Sequence, residues 1–285
     1  MSSTSPRYGT VDRDYGLRLA TCDPVDDGPI WMVHLMQYRQ VAAYGGAGDE
    51  GAGVAVSGRE ADDRYAPLDV LADIGAEVVF HGDVEQQLLG DGTVWDRVGI
   101  VRYPTRRSFI EMQSRDDFRE RHVHKEAGMD RTIVMGCLPS DVPEMPDGSN
   151  ELSWDEVPHP PTEDDGPVTV FHILSFKDPD SAMHTPEHMV RYQTKAAESA
   201  SRHGVRVSAW FGVEGTILGD GRVWHQARAN TFPSKAAFMA VVFDPERLEA
   251  QRNHREEAIA DTYTMIVRGH PGMDFERLAR SVGRT

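Results

Sequence analysis

The chain has 285 residues, 39% of them hydrophobic and 27% charged, enough apolar side chain for packed cores and a length that suggests about two domains. Thirty Lys and Arg stand against 46 Asp and Glu, a formal charge of −16. So acidic a surface repels phosphate backbones and argues against a nucleic-acid partner. No apolar run approaches the roughly 20 residues that span a bilayer, so no membrane partner is expected. Residues 1–27 are polar and acidic with no apolar h-region, unlike a secretory signal. Two cysteines, Cys22 and Cys137, make no disulfide framework, so a cytoplasmic protein is expected.

In chain order, residues 1–27 read as a flexible tail. Ile30 to Tyr38, behind Gly28-Pro29, is short, apolar and rich in β-branched and aromatic residues, which predicts a strand. Ala42 to Asp63 is a Gly-, Ala- and acid-rich insertion, long enough to be a lid or a mobile loop. Within it Gly46-Ala47-Gly48-Asp49-Glu50-Gly51 spells a dinucleotide fingerprint. The preceding strand ends too early for the required turn, and Asp49 and Glu50 would repel a pyrophosphate, so this reading is rejected. Leu68, Leu71 and Ile74 stripe a helix that Gly75 closes. Gly90-Asp91-Gly92 carries a hairpin signal. Pro104 then ends a strand and opens a helix running past His124, and Thr132 to Cys137 forms a last strand. Ser140 to Asp165 is Pro-rich and acidic, a linker.

The pattern then returns. Val168 to Phe176 is a strand; Pro186-Glu187 opens a helix carrying Met189, Tyr192 and Ala196, which Gly204 closes. Gly219-Asp220-Gly221 is a second hairpin signal. Pro233 precedes a helix passing His254, Thr264 to Val267 is a strand, and a short helix spans Met273 to Val282. The two passages align in detail. His34 falls on His172 and Trp95 on Trp224; Tyr103-Pro104 falls on Phe232-Pro233, and His124-Lys125-Glu126 on His254-Arg255-Glu256. Blocks in the same order with small length changes indicate tandem duplication.

Each copy reads strand, helix, two or three strands, helix, strand, the order of a ferredoxin-like βαββαβ unit. With its Gly-ended first helix, Leu-Gly-Asp-Gly hairpin and aromatic-Pro strand end, the chain resembles the dimeric α+β barrel superfamily, nearest to a small bacterial branch of unknown function. The resemblance is best over residues 76–137 and 168–270. It implies an α+β fold in which two tandem ferredoxin-like modules form an intrachain pseudo-dimeric α+β barrel. The domain plan is a tail at 1–27, modules at 28–139 and 166–270, a linker at 140–165 and a helical tail at 271–285. The superfamily contains cofactor-free monooxygenases, cyclases, isomerases, haem enzymes and non-enzymatic stress proteins, so the fold does not select a function.

Alternation along the strand after the second hairpin separates two faces. Val223, His225, Ala227, Ala229 and Thr231 are small enough to pack under a helix. Trp224, Gln226, Arg228, Asn230 and Phe232 set a polar trio between aromatics, a pattern suited to a pocket. The matching face of copy one reads Trp95, Arg97, Gly99, Val101 and Tyr103, less polar, so the copies have diverged. His34 and His172, at matching positions between apolar neighbours, are candidates for acid/base work or simply core histidines. Glu85 and Glu214 also match and suit a surface edge. His124 and His254, in charged helices with Arg252 and Arg255, read as solvated. His184-Thr185-Pro186-Glu187-His188 is a poor zincin, because Pro186 interrupts the helix and Glu187 is misplaced.

These residues predict a small-molecule enzyme of secondary or degradative metabolism holding a mostly apolar substrate in the barrel. His34 or His172 would be acid or base, with Arg228 and Asn230 stabilising developing negative charge. Trp95, Trp210, Trp224, Gln226, Phe232 and Tyr103 would bind substrate. No metal and no cofactor is expected, with haem or a metal ion as the alternative. A non-catalytic ligand-binding or stress-related barrel is the third reading, and free sheet edges leave a homodimer open.

Overall fold

The computed structural model describes residues 6–45, 55–149, 152–181 and 184–284. The rejected Gly46–Gly51 fingerprint lies outside the described residues. The fold is mixed α and β, with antiparallel sheet and helices in each of two compact units. The first comprises residues 1–81, 95–137 and 215–223, the second 82–94, 138–214 and 224–285.

The first unit opens where a tail was expected. β1 (Thr10–Val11) leads into α1 (Arg13–Ala20), whose first free amides are capped when the Asp12 carboxylate accepts from the Tyr15 amide. Tyr15 and Leu19, one turn apart, are fully buried. That pair was the missed signal: two large apolar residues at helical spacing anchor the segment, and Gly136 and Gly215 lie where any Cβ would strike the Tyr15 ring.

β2 (Ile30–Tyr38) precedes α2 (Gly58–Tyr65) and α3 (Leu68–Asp73). β3 (Glu77–Leu89) begins in this unit, and β4 (Arg97–Tyr103), α4 (Arg106–Ser114), α5 (Asp116–Gly128) and β5 (Met129–Pro139) complete it. β2 is flanked by β4 and β5, His34 standing opposite Gly99 on one side and Val134 on the other. The end of the long insertion is therefore helical. Ser57 and Glu60 form a capping box that starts α2, which packs on α5.

The second unit contains β6 (Val168–Phe176), α6 (Glu187–Arg202), the first part of β7 (Arg206–Gly219), β8 (Gln226–Phe232), α7 (Lys235–Val242) and α8 (Pro245–Ala250). A π-helical turn at Gln251–Arg255, α9 (Glu256–Ala258), β9 (Ile259–Gly269) and α10 (Phe275–Ser281) follow. Its strands run in the order β3, β9, β6, β8, β7, with β3 contributing residues 82–89. Neither Asp-Gly signal makes a two-residue turn: seven residues part β3 from β4, and six part β7 from β8.

The same local devices recur in both units. β2 shifts register between Gln37 and Tyr38, and β6 between Ser175 and Phe176. Thr105 caps α4 and Ser234 caps α7. Asp27 accepts from the Arg106 amide at 2.7 Å, and Asp165 from the Lys235 amide at 2.8 Å. Gly75 and Gly204 end their helices with φ of +71° and +70°.

Candidate functional site

One row of side chains crosses the second unit's sheet. Register places Trp210 on β7 opposite Arg228 on β8, Arg228 opposite His172 on β6, and His172 opposite Thr264 on β9. Directly opposed residues have Cβ atoms about 5 Å apart, so the row is continuous. All four line a cavity of about 380 Å³, at the small end of ligand-sized pockets. Asn230 and Phe232 line it too. Its roof is α6, with Met189, Tyr192 and Ala196, and α7, with Phe238 and Val241. Phe243 lines the cavity while 68% exposed, so it marks where the chamber meets solvent.

This cavity lies inside the second unit, between its sheet and its own helices. It corrects one expectation, for the faces of β8 are exchanged: Arg228, Asn230 and Phe232 lie under the helices, in place of the small Ala227, Ala229 and Thr231. The reason is steric. α6 presents Ala196, Ala197 and Ala200 to the cavity, leaving room for large side chains on the sheet.

Arg228 is 3% exposed. Its Nε donates to Gln226 Oε1 at 3.0 Å, and its Nη2 donates to the same oxygen. Gln226 in turn donates from Nε2 to Thr185 Oγ1 at 3.2 Å. The guanidinium stacks on the Trp210 ring, 4.0 Å from its centroid, a favourable cation–π geometry. Burial, and then the Arg255 charge, lower its affinity for its proton. His172 Nδ1 lies 3.2 Å from Thr264 Oγ1. Burial and the charges of Arg255, Arg228 and Arg247 push its pKa down to about 3, so the ring is neutral at physiological pH.

The sequence-predicted residues thus divide. His172, Arg228, Asn230, Trp210 and Phe232 share one cavity. Gln226 is buried beside it and holds Arg228. Trp224 packs against Tyr263 with ring centroids 5.4 Å apart and is not on the lining. His34, Trp95 and Tyr103 belong to the first unit. There Tyr103 meets Phe109 edge-on at 5.3 Å, and Trp95 is buried. His34 has an unpartnered Nε2 among the described residues, and burial with the nearby Lys125 pushes its pKa to about 3. Its cross-strand neighbours are Gly99 and Val134 where His172 has Arg228 and Thr264, so copy one lacks the polar row.

The solvated-face reading is overturned for His124, and the charges of Lys125 and Arg255 are buried as well. His124 is buried, its Nδ1 2.8 Å from the Tyr44 hydroxyl, because α2 and its flanking chain cover α5. Lys125 is buried beside it, with its ammonium over the Tyr65 ring. Arg255, its repeat partner, is buried and lines the cavity with Arg247. Sequence reasoning missed Arg247 and Arg255. The wider π turn at 251–255 displaces side chains from the faces a regular helical wheel assigns, but the buried Lys125 at the matching position is a signal of the inward face. Glu85 makes ion pairs with Lys235 at 3.0 Å and Arg268 at 2.7 Å.

Among the described residues no three His, Cys, Asp or Glu side chains come together as a metal site, and no helix is long and apolar enough to cross a membrane.

No family model matches the chain, and no curated protein does. Solved structures similar to it include mutant chlorite dismutases, a putative monooxygenase and a protein of unknown function. A mutant chlorite dismutase from Candidatus Nitrospira defluvii, in complex with cyanide, shares 12% identity at a TM-score of 0.48, over 93% of this chain and 98% of that one. RPA0582, a protein of unknown function from Rhodopseudomonas palustris, shares 26% identity at a TM-score of 0.41, over 49% of this chain and 100% of its own.

Proposed function

We propose that the protein is a small-molecule enzyme that holds a mostly apolar substrate in the cavity of the second unit and uses His172 as general acid or base. The observation that carries this reading is the convergence of a neutral imidazole and a buried guanidinium on one largely apolar chamber. Two polar groups fixed on neighbouring strands are pre-positioned, so little reorganisation is needed at reaction. Thr264 fixes the His172 ring through Nδ1, leaving Nε2 to exchange a proton with substrate. Arg228, with Asn230 further along β8, stabilises negative charge as the proton leaves. Cyclisation, isomerisation, elimination and cofactor-free oxygenation all begin with such a proton transfer. Descent of the two copies from one ferredoxin-like module is part of this reading, with catalysis retained by the copy that kept the polar row.

The test compares extracts incubated with wild-type protein and with His172→Asn, read by mass spectrometry. A product made by wild type and absent with the variant is expected. Identical extracts, with ligand binding retained, would leave a non-catalytic binding protein.

Haem is the alternative that the cavity does not favour: His172, the one imidazole on the lining among the described residues, offers a neutral ligand nitrogen, but about 380 Å³ is too small for a porphyrin. A side-chain metal centre has no ligand set among the described residues.

A further inference from the structure

The cavity's charge is unbalanced. Among the described residues three guanidiniums line it, those of Arg228, Arg247 and Arg255, and no Asp or Glu does. Arg247 has an outlet, donating from Nε to the Tyr192 hydroxyl at 3.1 Å and from Nη1 to the Val242 carbonyl at 3.0 Å. Arg255 donates to Thr262 Oγ1 at 3.3 Å. Arg228 is the costly one. Two of its nitrogens share a single neutral acceptor, Gln226 Oε1, and among the described residues Nη1 has no hydrogen bond and the group has no ion pair. A buried charge met only by neutral groups is expensive, and natural interiors pair it or leave it a place for a counter-ion.

The first unit shows how this chain meets the same need with its own residues. Arg97 is the repeat partner of Gln226 and is buried on the same strand pattern. Its Nη1 lies 3.2 Å from Asp62 Oδ2 and 2.9 Å from Asp63 Oδ1, both supplied by α2. Among the described residues copy two has no counterpart of α2. Where one copy supplies carboxylates from its own chain, the other leaves open space lined by arginines.

We propose that the cavity of the second unit takes a small carboxylic acid with an apolar body, its carboxylate paired with Arg228 on the side facing Arg255 and its body lying under α6 and α7. The inference rests on the preceding reading that this cavity is the ligand site, and names the ligand class. Guanidinium–carboxylate pairing is strong and directional, frequently two-pronged. A carboxylate is favoured over a phosphate dianion because Arg247 and Arg255 already donate to Tyr192, Val242 and Thr262, which leaves Arg228 as the guanidinium to meet a single ligand charge, and the surrounding Leu174, Met189, Val205 and Phe238 are apolar. The size agrees, since 380 Å³ holds a chain or ring of modest length and no large headgroup.

The test is calorimetric titration of the full chain with octanoate, 1-octanol and octyl phosphate, on wild type, Arg228→Met and Ala196→Phe, each first shown to be folded by circular dichroism. Octanoate is expected to bind wild type at least tenfold more tightly than octanol, Arg228→Met to erase that preference, and Ala196→Phe to weaken both ligands by filling the chamber. Equal binding of octanoate and octanol, both lost in Ala196→Phe, would overturn the carboxylate assignment and leave the cavity reading standing. Octyl phosphate binding more tightly than octanoate would also overturn the assignment, in favour of phosphate. Binding indifferent to Ala196→Phe, or absent for every probe, would overturn both.

Discussion

The strongest physical contrast in the molecule is between two buried arginines, and it predicts opposite responses to the same substitution. Arg97 is 3% exposed and is matched by Asp62, itself buried, and by Asp63. Arg97→Met leaves the Asp62 carboxylate without its cation, holding only the Tyr38 hydroxyl at 2.6 Å. Removing one partner of a buried pair costs about 3–5 kcal/mol. Arg228→Met instead removes a charge that has no carboxylate partner. It relieves a desolvation penalty of several kcal/mol. Against that stand the Gln226 oxygen left unsatisfied, about 1–3 kcal/mol, and the lost stack on Trp210, about 2 kcal/mol when desolvated. These terms roughly cancel, so Arg228→Met is expected within about 1 kcal/mol of wild type, with Gln226→Leu added to it raising stability further. Guanidinium unfolding followed by both tryptophan fluorescence and far-ultraviolet dichroism would measure this as a shift in midpoint at constant slope. An Arg228→Met variant as destabilised as Arg97→Met would refute the claim that Arg228 lacks a counter-charge, and the ligand class inferred from it.

Other outcomes follow from the same contacts. His34 and His172 have folded pKa values near 3 against 6.5 for the free side chain. Between those limits the unfolded chain binds protons that the folded one does not, so stability falls as pH drops from about 6.5 toward 3, by at most about 1.4 kcal/mol per pH unit for each histidine. The His34→Asn, His172→Asn double variant should flatten that slope in urea titrations across pH 4–6; an unchanged slope means that neither ring is held neutral. Octanoate pairing with Arg228 removes one of the charges depressing His172, so carbon-detected NMR should show its pKa rising on binding, while that of His34 stays put. Tyr15→Ala should cost about 3–5 kcal/mol as a filled core position is emptied; a near-neutral effect would return the N-terminal segment to the tail the sequence suggests. Purified protein without a Soret band, from haem-replete cells, would dismiss the haem reading.

Where the sequence was informative, it was through position and repetition. The matching first strands, the Pro-ended strands and the Gly-closed helices were all legible because backbone requirements set them: a left-handed residue after a helix, no amide donor at a strand end. The row Arg228–His172–Thr264 was half legible. Alternation along β8 put Gln226, Arg228 and Asn230 on one face, but nothing in one strand says which layer covers that face. That was decided elsewhere, by three alanines on α6. Arg255 was hidden for a local reason, the π turn that breaks the wheel, and Tyr15 because an eight-residue helix is too short for its period to stand out.

The divergence between the copies carries the functional argument. The proposed duplication would by itself reproduce His34 as His172, so the recurrence of histidine says nothing about chemistry. What distinguishes them is the company each keeps. Beside His34 stands Gly99, where an added Cβ would meet the Met36 side chain at 3.4 Å and His81 at 3.7 Å, ordinary contacts with no charged group among them. Beside His172 the equivalent position is Arg228, and the equivalent of Val134 is Thr264. A structural histidine needs neither a cation nor a hydroxyl opposite it on the neighbouring strands, and His34, between Gly99 and Val134, has neither there. The second copy keeps two polar groups at a cost in desolvation that its fold does not require, and a ligand's negative charge is the compensation the geometry leaves room for.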